Sequence, residues 1–132
     1  MSSRKLEQLR IWHDARLFVV EIYRLLSDNR DFGFRDQIQR ATVSIMNNIA
    51  EGSEYNSDAV FIRYLNIAKG SCAEVKSMLY LCEDLGYCTT ENREKLHEQL
   101  LKPTSGIYKI IQYLENSQTI SKHPERQSSV DR

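Results

Sequence analysis

The sequence has few residues that break a helix or cross-link a chain. Only two prolines and five glycines occur among 132 residues, and no two of the three cysteines form a Cys-x-x-Cys pair. Cys72 and Cys82 are about 15 Å apart along one predicted helix, which is too far for a disulfide. We therefore expect reduced, mostly buried thiols in a cytoplasmic protein rather than a disulfide framework.

Long apolar runs and an excess of either charge are also absent. No apolar stretch reaches the ~18–20 residues that span a bilayer, and the first residues have no apolar signal-peptide core. We therefore predict no membrane association. Eighteen Lys and Arg residues balance eighteen Asp and Glu residues. Because the whole chain has no field that attracts nucleic acid, such a site would have to be a local patch.

The three histidines are too scattered for the usual catalytic groupings. A di-iron bundle needs two Glu-x-x-His units, but the sequence contains only one, Glu94 to His97. Small helical ribonucleases of the HEPN class separate an arginine and a histidine more widely than Arg93 and His97 are separated here. There is also no Gly-rich phosphate loop. We predict no catalytic residues, no metal site and no cofactor.

Helical periodicity is the strongest feature that is present. Apolar residues recur at spacings of three and four in four segments, which predicts helices over about 11–27, 34–51, 58–85 and 90–116. Four such segments joined by short turns favour an all-α, antiparallel up-down-up-down four-helix bundle over residues 1–116. The polar composition of residues 117–132 predicts a disordered tail.

Local signals mark where these helices begin, bend and end. Gly52 and Gly86 are placed to end the second and third helices in the left-handed conformation. Ser57 is a candidate cap for the third helix, and Thr89 or Thr90 for the fourth. Pro103 is expected to kink the fourth helix.

Polar residues lie close to the apolar stripes of the second and third helices. They are Asn48, Glu51, Ser71 and Glu74. Buried polar groups cost free energy unless they are hydrogen-bonded. These residues are therefore expected either to form a satisfied polar bridge between the two helices or to contact a ligand or another subunit.

The segment from Gln37 to Gly52, QIQRATVSIMNNIAEG, resembles the signature of the 23S rRNA intervening-sequence proteins, which are small bacterial four-helix-bundle proteins. Further segments resemble the family's opening around a tryptophan, its third helix and its third turn, so that the similarity covers about residues 5–115. Met46 and Asn47 stand where the family usually has proline and serine, which predicts a straighter second helix. The further segments are LRIWHDA at 9–15, FIRYLNIAKGS at 61–71 with Glu74, and LCEDLGY at 81–87.

The resemblance implies a bundle without catalytic activity that assembles into a homopentameric ring. A related bundle, the accessory protein of diversity-generating retroelements, binds nucleic acid and a reverse transcriptase. By this resemblance, RNA, DNA or a nucleic-acid enzyme is the expected partner. The basic residues expected to contact it are Arg4, Lys5, Arg10, Arg35 and Arg40.

Two alternatives remain at this stage. The protein could be a scaffold that only self-assembles and docks partner proteins through the wide apolar stripe of the first helix. The charged residues could also form an ordinary mixed surface. Lys69 and Lys76 share one face of the third helix at i, i+7, yet each helix carries acids and bases in similar number.

Overall fold

The computed structural model describes residues 4–122, with side chains described through residue 117. In this range the chain is all-α and contains no strand. A short 3-10 turn, Leu6–Gln8, precedes four helices: α1 Arg10–Leu25, α2 Phe32–Ser53, α3 Asp58–Asp84 and α4 Thr90–Lys122. Helix α1 packs against α2 and α4, and α3 packs against the same two helices. None of the described helices is both long enough and apolar enough to cross a membrane.

The predicted apolar stripes form the core of this bundle. On α2 and α3 every predicted stripe residue is buried, which confirms both helical periods. Helix α1 buries one face against two neighbours, as the width of its stripe predicts. The α2 and α3 stripes are Phe34, Ile38, Ala41, Ile45 and Ile49, and Phe61, Leu65, Ala68, Cys72, Val75, Leu79 and Cys82.

Helix α4 departs from its prediction in two ways. The apolar spacing predicts Ile110 in the core stripe of this helix, but the stripe passes through Ile107 and Ile111, and Ile110 is only half-buried. The helix also continues to Lys122, so residues 117–122 are helical rather than part of a disordered tail. The reason is local, because no glycine or proline interrupts residues 107–123. The rest of the predicted tail, 123–132, lies outside the described residues.

Three helix ends follow the predicted signals. The Val60 backbone N–H donates to the Ser57 hydroxyl, and Thr89 caps α4 by accepting from the Asn92 backbone N–H. Gly86 has a φ of 76° and ends α3, while the Tyr87 N–H donates to the carbonyl of Cys82 at 2.9 Å. This is the hydrogen bond of a Schellman motif, in which a left-handed glycine lets the chain turn away from the helix.

Gly52 does not end α2, so that prediction is wrong. The helix continues to Ser53, and Gly52 is buried inside it. A Cβ atom at this position would lie 2.6 Å from the Cβ of Tyr64 and 2.9 Å from a ring carbon of Phe61. The glycine is therefore there to let the backbone of α2 approach α3 closely, and not to allow a left-handed turn.

A side-chain hydrogen bond joins the turn before α2 to the turn after α3. The Tyr87 hydroxyl donates to Asp31 at 2.6 Å, and the same carboxylate accepts from the backbone N–H of Phe34 as an N-cap. Both donors stabilise the charged form, and together they hold the pKa of Asp31 below its ordinary value. The two connections therefore lie at the same end of the bundle.

Candidate nucleic-acid interface

The five basic residues predicted to bind nucleic acid do not form one exposed patch. Arg4 is largely buried and pairs with Asp58 at the start of α3. Its guanidinium also donates to the carbonyl of Tyr55 at 2.7 Å and lies 4.6 Å from the centre of the Phe61 ring. Arg4 therefore fastens the N-terminal segment to the start of α3, and its charge is largely satisfied within the chain.

Replacing Arg4 with alanine should lower the free energy of unfolding by about 1–3 kcal/mol, since charged hydrogen bonds of this kind contribute about that much. The first turn should also exchange its amide hydrogens faster. Lys5→Ala is the matched control, because Lys5 is exposed and forms no ion pair within the described residues 4–117. Urea unfolding and hydrogen exchange of both variants provide the measurement. If Arg4→Ala were as stable as the parent protein, the contacts of Arg4 would contribute nothing to the free energy of unfolding.

Of the remaining basic candidates, one has partners within the chain and three are exposed. Arg35 donates to the carbonyl of Asn29 at 3.2 Å, and its guanidinium stacks 4.6 Å from the centre of the Phe32 ring. Lys5, Arg10 and Arg40 are exposed. Arg40 lies on α2 in two shallow grooves that also contain the carboxylate of Asp36, so its positive charge is locally balanced.

The polar residues on α2 and α3 meet through Ser44, which the sequence did not single out. The hydroxyls of Ser44 and Ser71 are 2.9 Å apart and bridge the two helices. Asn48 donates to the carbonyl and the hydroxyl of Ser44 at 2.8 and 2.9 Å. Asn48 and Ser71 thus belong to a satisfied polar bridge. Glu51 and Glu74 are exposed on the single chain, so they are not part of that bridge, and a subunit-contact role for them stays a prediction.

A groove between α3 and α4 has the most positive lining of the described grooves. Its volume is about 290 Å³, and its lining contains two lysines and a histidine but no carboxylate. Each of four further grooves on the described part of the chain either carries a carboxylate or has a single arginine as its basic residue. The residues lining the α3/α4 groove are Lys69, Cys72, Ala73, Lys76, His97, Leu100, Leu101, Thr104 and Tyr108.

Contacts between the two helices define both ends of this groove. At one end, the Lys69 ammonium lies 4.8 Å from the centre of the Tyr108 ring. At the other end, a ring nitrogen of His97 lies 3.0 Å from the carbonyl of Lys76, which accepts a hydrogen bond from it. The Lys76 side chain itself is exposed. Two ammonium groups are therefore available along a floor formed largely by apolar side chains.

A charged network holds the histidine end of the groove in place. Arg93 pairs with Glu83 at 2.7 Å, and its guanidinium lies 4.8 Å from the centre of the Tyr80 ring and 3.3 Å from His97. Hydrogen bonds from Thr90 and Arg93 lower the pKa of Glu83, and the bond to Glu83 raises the pKa of Arg93. Arg93 is thus engaged as a structural ion pair that orients the histidine.

The three cysteine thiols lie in buried or half-buried positions, which affects their pKa values. Cys72 and Cys82 are buried and Cys88 is half-buried, and all three are free, as the sequence predicts. Burial raises the pKa of the Cys72 thiol, which is partly offset by a hydrogen bond with Thr104. Burial, with a smaller effect of Cys88, raises the pKa of Cys82 to about 12. Both groups are therefore protonated near neutral pH and are poor nucleophiles.

No group of three or more histidine, cysteine, aspartate or glutamate side chains is placed to hold a metal ion within the described part of the chain. The single Glu-x-x-His unit has no second unit facing it. Its histidine instead packs 4.6 Å from the centre of the Tyr80 ring. This end of α4 therefore serves helix packing.

A second feature is the apolar outer side of α1. It differs from the wide stripe that the sequence indicated as a docking surface, because the centre of that stripe is buried in the core. Leu17, Val20 and Tyr23 are exposed by 61%, 40% and 45%. Val20 and Tyr23 line a shallow, mostly apolar depression together with Val43 of α2. Contiguous apolar surface can mark a contact with another protein, whereas single exposed apolar side chains are ordinary.

Comparisons with known proteins agree with this architecture. The family described as 23S rRNA-intervening sequence protein matches residues 7–111. A solved structure from Bacteroides thetaiotaomicron VPI-5482, described as a protein with unknown function from the S23 ribosomal protein family, is 30% identical. The alignment covers 76% of this chain and 97% of that one, with a TM-score of 0.71. No functionally curated protein matches the chain.

Proposed function

Because the chain belongs to the 23S rRNA-intervening sequence protein family, we propose that it is a non-enzymatic, oligomeric bundle that binds nucleic acid through the groove between α3 and α4. One observation carries the proposal. In a chain with no net charge, the lining of this groove presents Lys69, Lys76 and His97 without a carboxylate. Lysine side chains that face solvent without a paired acid are suited to phosphate contacts.

The proposed architecture is an up-down-up-down bundle that assembles into a homopentameric ring in the cytoplasm. Two contacts support the up-down order. The Asp31–Tyr87 hydrogen bond joins the α1/α2 and α3/α4 connections, and the Arg4–Asp58 ion pair joins the N-terminal segment to the start of α3, as an up-down order expects at the two ends of the bundle. Ring assembly would repeat the α3/α4 groove around the axis. The groove of one subunit would then be one of several phosphate contacts along a bound strand, and weak individual contacts would add up.

A structured RNA titrated against salt tests this proposal. The parent protein should bind with a log–log slope of several units, since each neutralised phosphate contributes about 0.7–0.9. The double variant Lys69→Glu/Lys76→Glu should bind more weakly at every salt concentration. Its slope should fall by about two units per binding groove, one for each lysine lost.

The matched control is Lys5→Glu/Arg10→Glu, which changes the net charge by the same amount at the surface that the sequence had indicated. Its affinity should remain close to that of the parent protein. If only this control loses affinity, the interface is the N-terminal surface and the assignment to the groove is wrong. No binding of the parent protein at low salt would reject nucleic-acid binding altogether.

The exposed apolar side of α1 favours a second candidate function, a scaffold that docks partner proteins without nucleic acid. Leu17, Val20 and Tyr23 would supply the contact. The RNA titration distinguishes this role from the first, and analytical ultracentrifugation tests the self-assembly that both roles share. A chain that stays a monodisperse monomer at micromolar concentration has no self-assembly through this surface.

A further inference from the structure

The α3/α4 groove carries aromatic surface as well as positive charge. Tyr108 is 53% exposed in its lining, with the Lys69 ammonium 4.8 Å from the centre of its ring. Tyr80, 48% exposed, lies at the histidine end beside Arg93 and His97. Exposed rings beside cations are the surfaces on which unpaired bases stack. The chemistry of this groove thus suits bases as well as phosphates.

The shape of the groove selects between single and double strands. Its floor is apolar, with Cys72 and Leu100 buried and Leu101 exposed at its edge. A duplex keeps the faces of its bases inside its own stack and would present only its backbone to such a concave surface. A single strand can turn its bases into the groove, so that the apolar floor and the Tyr108 ring become contacts.

The spacing of the lysines fits several nucleotides. Lys69 and Lys76 are seven residues apart on one face of α3, which corresponds to about 10.5 Å along the helix axis. A stacked duplex strand would cover this distance in about three steps at about 3.4 Å of rise per step, and an unstacked single strand, which is more extended, covers it in fewer. Two phosphates of one strand could therefore contact the two ammonium groups while the bases between them lie over the groove.

We infer that the α3/α4 groove binds single-stranded nucleic acid, with a base stacked on Tyr108 and phosphates on Lys69 and Lys76. The inference rests on the proposed function and specifies its ligand. Stacking is tolerant of sequence, because every base has an aromatic face. The groove therefore favours unpaired over paired strands and discriminates weakly among bases.

Fluorescence anisotropy with a labelled oligouridylate, and with an RNA duplex of equal length, tests the inference. The parent protein should bind the oligouridylate more tightly than the duplex. Tyr108→Ala should weaken binding of the oligouridylate by about tenfold or more, the effect of losing one stacked base. Tyr108→Phe, which keeps the ring, should retain the affinity. Tyr113→Ala is the matched control, because Tyr113 is 69% exposed on the same helix but does not line the groove.

The remaining outcomes separate this inference from the function on which it rests. If the duplex binds as tightly as the oligouridylate, or if Tyr108→Ala binds the oligouridylate like the parent protein, single-strand recognition is wrong. If either of these results is obtained but Lys69→Glu/Lys76→Glu abolishes binding, the proposed nucleic-acid function of the groove stands, and only the preference for single strands is wrong. If neither ligand binds the parent protein at low salt, both are wrong. Circular dichroism of Tyr108→Ala verifies that the exposed substitution leaves the bundle folded.

Discussion

Replacing Phe18 with alanine should lower the free energy of unfolding by about 3–5 kcal/mol. Phe18 lies on α1 and has no exposed surface, and it belongs to the same core as Ile22 and Leu65. Alanine would remove the ring from this core and leave a cavity that the surrounding helices can only partly fill. Domains of this size are stable by about 5–15 kcal/mol, so the loss is a large part of the total. Urea unfolding followed by circular dichroism gives the value.

Leu17→Ala is the matched control for this substitution. Leu17 precedes Phe18 on the same helix but is 61% exposed, so its replacement should change stability by about 0.5 kcal/mol or less. The comparison is made at equal protein concentration, because Leu17 also lies on the surface proposed for self-assembly. If both variants lost the same stability at high and low protein concentration, the assignment of Phe18 to the core and Leu17 to the surface would be wrong.

Gly52→Ala should destabilise the bundle by about 1–3 kcal/mol, although alanine is the better helix former. The new methyl group would lie 2.6 Å from the Cβ of Tyr64 and 2.9 Å from the Phe61 ring. A Cβ cannot move away from its own backbone, so α2 and α3 would have to separate. Thermal and urea unfolding measure the change, and larger residues at position 52 should reduce stability further.

Gly70→Ala provides the opposite expectation on the neighbouring helix. Gly70 lies inside α3, and a Cβ there would have no heavy atom within 4 Å. Only the helix propensity then changes, and stability should rise by about 0.5–1 kcal/mol. If Gly52→Ala also raised stability, the two helices would not be in the close contact that the structure describes.

Gly52 and Gly86 illustrate what the sequence could predict. Helical periods are properties of one segment, and they located nearly every buried hydrophobic residue of α2 and α3 because burial repeats with the turn of the helix. The role of Gly52 depends on Tyr64, which lies on another helix at a distance that no local pattern encodes. A glycine near a predicted helix end has the same sequence pattern whether it adopts the left-handed conformation that ends the helix or allows a neighbouring helix to pack closely. Gly86, whose surroundings are its own turn, was predicted correctly.

The candidate interface was harder to predict for the same reason. The basic residues expected from the family resemblance included Arg4 and Arg35, but each of these side chains has partners that are distant in sequence or in a turn. Lys69 and Lys76 were recognised as sharing a face. Their significance depends on which residues of α4 lie opposite, and periodicity within α3 contains no information about that register. Tyr108 and His97 could be placed beside them only by the structure.

The uneven lining of the α3/α4 groove has a consequence for how a partner approaches. Its lining holds Lys69 and Lys76 without a carboxylate, in a chain whose eighteen basic and eighteen acidic residues cancel. The potential is therefore locally positive at the groove although the whole chain is neutral. Such a patch exerts little pull at long range, and at about 0.1 M salt its field fades within about 10 Å. A polyanion would therefore be drawn toward the groove only after it has come within that distance.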